Sequence, residues 1–251
     1  EHRNLVNLIA YEYSYTNIDF KNNVLQFASM SFDVCYQEIF SALLAGGSLF
    51  MLSKENKKNV ETMCSYIEEN SISIIFLPTA YFKFLSSKLD YLERIPRTIK
   101  HIIVAGEKLT INKHLRRFLD QSQIYLHNHY GPAETHVVTT YTIGKDVEYD
   151  DIPYIGKPIS NSKILILNNY MEIQPVGIPG EIYIAGDCVG RGYLNQIELT
   201  NNKFLEIDLN YKKTWMYKTG DIGKWTKDGN IQYLDRVDNQ VKIRGYRIEL
   251  E

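Results

Sequence analysis

The sequence predicts an α/β fold: a layered, largely parallel sheet with helices on both faces, followed by a small β-barrel-like subdomain. Two features point there. Over roughly the first half of the chain, short apolar runs alternate with longer stretches of helical spacing, the pattern of strands joined by crossover helices. After about Tyr149 the helical stretches give way to short strands separated by turn residues. The chain has 251 residues and is 44% hydrophobic, enough to bury a substantial core.

Asn4 to Tyr11 reads as the end of a helix, and Val24 to Ala28 as a short buried strand. Asp33 to Ala45 reads as a helix with Ile39, Phe40, Leu43 and Leu44 on its apolar face and Asp33 placed to cap it. Gly46 and Gly47 stop that helix, and Ser48 to Leu52 returns as a strand. The alternation continues with a helix at Asn59 to Glu69, a strand at Ile74 to Leu77 and a helix at Tyr81 to Leu89. A strand at Ile99 to Ala105, a helix at Thr110 to Leu119 and a strand at Gln123 to His127 complete it. Asp150 to Asn161 is polar, holds Pro153, Gly156 and Pro158, and reads as a linker. Beyond it, Lys163 to Leu167, Gly180 to Ala185 and Ile231 to Leu234 read as strands, and Asp228-Gly229 sits where a hairpin needs positive φ.

Composition narrows the function classes. The formal net charge is -2, so no basic excess is present to neutralise the phosphates of a nucleic acid. The longest apolar runs are far too short to span a bilayer, and Glu1-His2-Arg3-Asn4 does not open a signal peptide. The three cysteines are widely spaced and form neither a metal pattern nor a disulfide framework, which suits a reducing, cytoplasmic setting. His127 and His129 share a strand face, but the six histidines suggest no metal cluster, and His101, His114 and His136 offer no evident partners.

Four segments exceed what plain structure requires. They are Phe32-Asp33-Val34, Asn128 to Thr135 (NHYGPAET), Tyr217 to Asp221 (YKTGD) and Asp235 to Glu249 (DRVDNQVKIRGYRIE). Gly180 to Gly186, running into Gly190-Arg191-Gly192-Tyr193-Leu194, is a fifth. In order and spacing these resemble the adenylate-forming, or AMP-binding, superfamily, and within it the adenylation domains of nonribosomal peptide synthetases. The resemblance covers nearly the whole chain. It implies a Gly-rich phosphate loop before Glu1 and a lysine-bearing lobe after Glu251, so the sequence reads as a fragment that would not turn over alone. Residues 1–155 would be the α/β part of the large lobe, 156–235 a β-rich subdomain with the ribose site, and 236–251 a hinge to the second lobe.

Each site residue has an ordinary structural reading and a role implied by the resemblance. Asp33 reads as a helix cap; the resemblance makes it the counter-charge of a substrate α-ammonium and favours an amino acid over an aryl acid. Tyr130 follows a strand and reads as a turn aromatic; the resemblance makes it the stacking platform for adenine, with Asn128 reading the adenine edge. Glu134 reads as a loop carboxylate; the resemblance makes it a ligand of Mg2+, a cation that prefers hard oxygen donors. Asp221 reads as a turn residue; the resemblance has it accept the ribose hydroxyls, while Arg236 contacts the nucleotide. Asp238 matches the hinge. Two positions depart from the family pattern: Ala133 stands where a hydroxyl is usual, and Thr135 would point elsewhere; Asp235 stands where Gly is usual.

The resemblance further implies a pocket walled by Asp33, Val34, Gln37, Phe76, Ile103, Ala105, His129, Val137 and Val138. This set is mostly apolar, and no fixed charge follows Asp33, which disfavours charged substrates. L-proline fits it, with Val, Ile, Leu or pipecolate as the alternatives. The expected reaction is amino acid plus ATP and Mg2+ giving aminoacyl-AMP and pyrophosphate. The acyl group would then pass to the phosphopantetheine of a peptidyl carrier domain in a synthetase that also holds a condensation domain; neither nucleic acid nor membrane is an expected partner. An acyl-CoA or stand-alone carrier-protein ligase, or a binding module without catalysis, are the rival readings.

Overall fold

In the computed structural model, residues 1–145, 147–209, 212–237, 240–243 and 246–249 are described. They form two compact units. One comprises residues 12–128 and 142–153; the other comprises 1–11, 129–141 and 154–251.

The first unit is α/β. Its strands are β1 (Asn23–Gln26), β2 (Ser48–Met51), β3 (Ile74–Pro78), β4 (His101–Ala105) and the start of β5 (Tyr125–Tyr130), in the order β2-β1-β3-β4-β5 and all parallel. Helices α2 (Val34–Leu44), α3 (Lys54–Lys58), α4 (Val60–Glu69), α5 (Thr79–Ser86), α6 (Leu89–Glu93) and α7 (Lys113–Gln121) connect them. Most starts have a local cause. Asn59 accepts from Glu61 N and Thr62 N, and Asn112 from His114 N and Leu115 N, so each supplies an acceptor that the first helical turn lacks. Ile18, Phe20, Val24, Ala42, Ile74, Phe76 and Ile103 form the core.

Several elements differ from expectation for identifiable reasons. β1 ends at Gln26 rather than Ala28, because the N–H groups of Phe27 and Ala28 go to the Glu38 carboxylate. On α2 the expected apolar face is inverted: Phe40, Leu43 and Leu44 are exposed, while Cys35, Gln37, Glu38, Ser41 and Ala42 are buried. That face is buried because its polar groups are met. Gln37 Nε2 and Ser41 Oγ each donate to Glu12, at 2.6 Å. β5 runs on to Tyr130, so Asn128, His129 and Tyr130 are strand residues and Tyr130 does not follow the strand. The histidines expected to lack partners include His101, yet its Nδ1 lies 3.0 Å from His127 Nε2, and His127 Nδ1 lies 2.9 Å from Thr142 Oγ1.

The second unit is β-rich. It begins with Glu1 and residues 2–11 of α1 (His2–Tyr15). β6 (Thr139–Ile143) pairs there with β7 (Lys157–Pro158), which lies inside the expected linker; Pro153, at the edge of the first unit, and Ile155 and Ile159 in the second are buried rather than solvated. The main sheet is antiparallel, in the order β10-β11-β9-β8, with β12 also on β11. Its strands are β8 (Ser162–Leu167), β9 (Gly180–Gly186), β10 (Phe204–Leu209), β11 (Lys212–Trp225) and β12 (Ile231–Arg236). Helix α8 (Ile197–Lys203) precedes β10, and β13 (Gln240–Ile243) pairs with β14 (Tyr246–Glu249). One face of the sheet is packed by Ile164, Ile166, Ile182, Ile184, Phe204 and Tyr217, the other by Leu167, Tyr183, Ala185 and Met216. Gly229 has φ +78 in the turn before β12, as the hairpin reading required.

Burial raises the Glu12 carboxyl from its ordinary 4.5 to about 7, against the hydrogen bonds from Ser41 and Gln37 that lower it. Between those values the folded chain holds a proton that the unfolded chain has released. The contribution of Glu12 is therefore full below about 4.5 and is lost as pH rises through about 7. Glu12→Gln should gain thermal stability relative to the parent on going from about pH 5 to about pH 8, by on the order of a few kcal/mol at most. Melting curves of both proteins at the two pH values check this. Glu38 has the same shift in both proteins and cancels from the comparison.

Candidate active site

The long strand β11 changes partners along its length. Its first half pairs with β10, its second with β12, and β9 lies along its other edge. The register with β9 shifts between Lys218 and Ile222, and Gly220 adopts φ +77 within that shift. Such a conformation is open to glycine without a Cβ penalty, and bulges of this kind re-aim a neighbouring side chain. Local bonds replace the interrupted ladder. Thr219 Oγ1 donates to Ile182 O at 2.7 Å and accepts from Asp221 N at 2.9 Å, while Gly220 N donates to Glu181 Oε1 at 3.0 Å. Asp221 is thus a strand residue in a bulge, where a simple turn residue had been the ordinary reading.

Its carboxylate is the hub of the β-rich unit. Tyr130 OH donates to Oδ2 at 2.6 Å, and Arg236 Nη1 to Oδ1 at 2.7 Å. Arg236 stands directly opposite Asp221 in the β11–β12 register, and its Nη2 reaches Thr219 O at 3.3 Å. Tyr233, two residues along from Asp235, donates to Oδ1 at 3.5 Å and tilts against the Tyr130 ring, centroids 6.3 Å apart. Burial, then the Asp221 charge, pushes both phenols up, so both remain donors. Asp235, the second departure, sits in the extended strand with its carboxylate taking Arg236 N at 2.9 Å.

The loop after Tyr130 is closed by Val138 N donating to Tyr130 O at 2.8 Å. A Cβ at Gly131 would fall on the carbonyl oxygen of His136, so only glycine permits this closure. Glu134 sits at its far side. Gly190 N donates to Glu134 O at 2.9 Å, and Tyr193 OH to Glu134 Oε1 at 2.6 Å, with Tyr217 OH 3.5 Å from Tyr193 OH. Among the described residues no three His, Cys, Asp or Glu side chains gather as a metal cluster. A half-buried carboxylate held by a phenol fits Mg2+, which commonly takes one or two protein carboxylates and completes its shell with phosphate and water. Ala133 is exposed, and Thr135 Oγ1 donates to the backbone carbonyls of Pro132 and His136.

In the α/β unit Asp33 is half-buried and caps α2, its Oδ1 accepting from Val34 N at 2.8 Å. Val34 packs on the core that contains Phe76 and Ile103, neighbours in the β3–β4 register, and Ala105 is half-buried at the end of β4. Gln37 is buried, bonded to Glu12, and Asn128 is buried in β5. In the β-rich unit His129, Val137 and Val138 are buried, and burial, with the His136 charge, lowers His129 to about 3. That imidazole is neutral at physiological pH. Asp238 lies outside the described residues. Sequence reasoning missed Tyr193, Tyr233, Glu12 and Glu38. Tyr193 was inside a recognised motif, whereas an acidic residue on a helix carries no periodic signal of burial.

The sequence matches the family of AMP-binding enzymes over residues 1–194. Gramicidin S synthase 2 of Brevibacillus brevis is 50% identical over 250 residues, covering 100% of this chain, and tyrocidine synthase 2 of Brevibacillus parabrevis is 50% identical over the same length. The chain spans only 6% and 7% of those relatives. The structure of PA1221, a nonribosomal peptide synthetase protein containing adenylation and PCP domains, aligns with a TM-score of 0.86 at 24% identity, over 98% of this chain and 49% of that one, a likeness of fold. A match that runs through β5, the Glu134 loop and on to Leu194, together with half-identical relatives along the whole chain, makes this chain a member of the AMP-binding enzyme family.

Proposed function

We propose that the chain is the substrate- and nucleotide-binding part of an amino-acid-adenylating ligase of a nonribosomal peptide synthetase. The carrying observation is the Asp221 carboxylate, held in a bulge between Arg236 and Tyr130. An ionised carboxylate is acceptor-only and suits the vicinal hydroxyls of ribose, while the facing guanidinium suits anionic or hydroxyl oxygens. Tyr130 offers its ring to adenine and Asn128 its amide to the base edge. Asp33 meets the amino acid's ammonium. In the reaction a carboxylate oxygen of the amino acid bonds to the α-phosphorus of ATP as the bond to pyrophosphate breaks. The chain contributes position and charge, with no covalent intermediate on the protein. Glu134, held by Tyr193, would carry Mg2+, whose charge screens the repulsion between carboxylate and phosphate. Passage of the acyl group to the phosphopantetheine of a carrier domain, with a condensation domain in the same synthetase, goes with this reading, which the gramicidin S and tyrocidine synthase relatives support.

The amino acid we propose is L-proline. The pocket set is apolar apart from Asp33, Gln37 and His129, and His129 is held neutral. A fixed charge on the substrate side chain would have no counter-charge there. Buried Phe76 removes volume, and a secondary ammonium still gives Asp33 two donors.

Three measurements test this, all on the adenylation domain carrying these residues, by amino-acid-dependent exchange of pyrophosphate into ATP. Asp221→Asn should raise KM for ATP about tenfold or more while leaving the amino-acid KM near its parent value; the reverse pattern would assign Asp221 to structure alone. Asp33→Ala should raise the amino-acid KM by at least about tenfold, equivalent to roughly 1.4 kcal/mol, with ATP little affected; a smaller shift returns Asp33 to its capping role. Among the common amino acids proline should have the highest kcat/KM. A branched aliphatic preferred by about tenfold, roughly 1.4 kcal/mol of transition-state binding, overturns the assignment.

A further inference from the structure

Glu38 lies on the buried face of α2, one turn into the helix, and its side chain is fully buried. Its carboxylate reaches back to the chain leaving β1. Oε1 accepts from Phe27 N and Ala28 N, both at 2.9 Å, and Oε2 accepts from Ala28 N and Gln26 Nε2, both at 3.1 Å. These two N–H groups have left the sheet and are buried, so they need an acceptor from elsewhere. The Lys57 ammonium holds the same point from the other side, donating to Phe27 O at 2.7 Å and lying 5.4 Å from the Phe27 ring centroid. From that anchor a short turn, with Phe32 N donating to Ser29 O at 2.9 Å, leads directly to Asp33.

Asp33 is therefore delivered from two directions. The helix fixes it from behind, and Glu38, on the same helix, fixes the backbone that approaches it. One carboxylate ties the incoming turn to the outgoing helix. Burial works against this arrangement and raises the Glu38 carboxyl to about 7, while the hydrogen bonds from Ala28 and Phe27 lower it. A neutral amide offers a single acceptor oxygen and would turn its N–H groups toward the backbone donors. Only a carboxylate presents acceptors on both oxygens.

We infer that Glu38 is a positioning residue for amino-acid binding, clamping the Phe27–Ala28 backbone so that Asp33 meets the substrate ammonium. This rests on Asp33 serving that ammonium, as proposed above. An error of about 1 Å in such a group can cost on the order of a hundredfold in rate.

The test compares Glu38→Gln with the parent adenylation domain in the exchange assay, using the preferred amino acid and its des-amino carboxylic acid. The amino-acid KM should rise about tenfold or more, with KM for ATP within about twofold. Discrimination between the amino acid and its des-amino analogue should fall by a similar factor, because only the amino acid uses Asp33. A general loss of structure would instead lower kcat for both substrates and leave that ratio intact, which overturns the proposal. If Glu38→Gln does not fold, Glu38→Asp, which keeps the charge and shortens the reach, is read in the same way; failure of both to fold assigns Glu38 to stability alone and also overturns it. Asp33→Ala run alongside separates the two readings. An effect there with none at Glu38 sinks this inference only, whereas an unchanged amino-acid KM in Asp33→Ala removes the reading on which it rests.

Discussion

A carboxylate taken out of water must be met by donors, and that constraint organises both units. Leaving such a charge unmet costs far more than any one contact returns, so the surrounding backbone is committed to satisfying it. In the β-rich unit the group is Asp221, and the commitment is visible in β11, whose register breaks where Arg236 and Tyr130 converge on it. In the α/β unit the groups are Glu12 and Glu38. One draws Gln37 and Ser41 to the buried side of α2; the other draws the end of β1. The inverted face of α2 follows from these two groups.

The same constraint ties local chemistry to the motifs. Thr219, Gly220 and Asp221 act as one unit: the hydroxyl replaces a ladder acceptor, the glycine takes the positive φ, and the aspartate receives the arginine opposite. Asn128 to Glu134 behaves similarly. The strand carries Asn128 to Tyr130, Gly131 permits the tight closure, and Glu134 is caught by Tyr193 from the glycine-rich segment far along the chain. Motifs remote in sequence meet because one supplies the acceptor that the other's donor requires.

Much of this was legible in the sequence. The alternation of strand and helix up to His127 corresponds to the parallel order β2-β1-β3-β4-β5, and the glycine of Asp228-Gly229 does carry positive φ. Boundaries went astray where a side chain overrode periodicity. β1 stops early because Glu38 takes its N–H groups, and a reading based on apolar runs has no term for a carboxylate five residues beyond Asp33. Helical spacing gathers Phe40, Leu43 and Leu44 with Ile39 on one apolar face, yet α2 leaves those three exposed and buries its hydrogen-bonded polar residues. His101 and His127 were 26 residues apart and joined only by the β4–β5 register, which puts Ile103 opposite His127. Asp33, Asp221, Tyr130 and Arg236 are singled out by motifs; Glu38 and Tyr233, which bond around them, are not, since supporting groups are recognised by geometry.

The two kinds of recognition we propose place different demands on their scaffolds. Ribose presents hydroxyls that hydrogen-bond in many orientations, so the role we propose for Asp221 asks only for a carboxylate on a sheet bulge, braced by a guanidinium and a phenol. An ammonium paired with a carboxylate in an apolar pocket tolerates little displacement, because loss of contact leaves both charges desolvated. Asp33 sits at a helix start reached by a loop, an element with less inherent rigidity than a strand interior. A second carboxylate that ties the loop to the helix is the remedy we infer: Glu38 joins the Phe27–Ala28 backbone to α2. The cost of burying Glu38, visible in its raised carboxyl, is then the cost of holding Asp33 still.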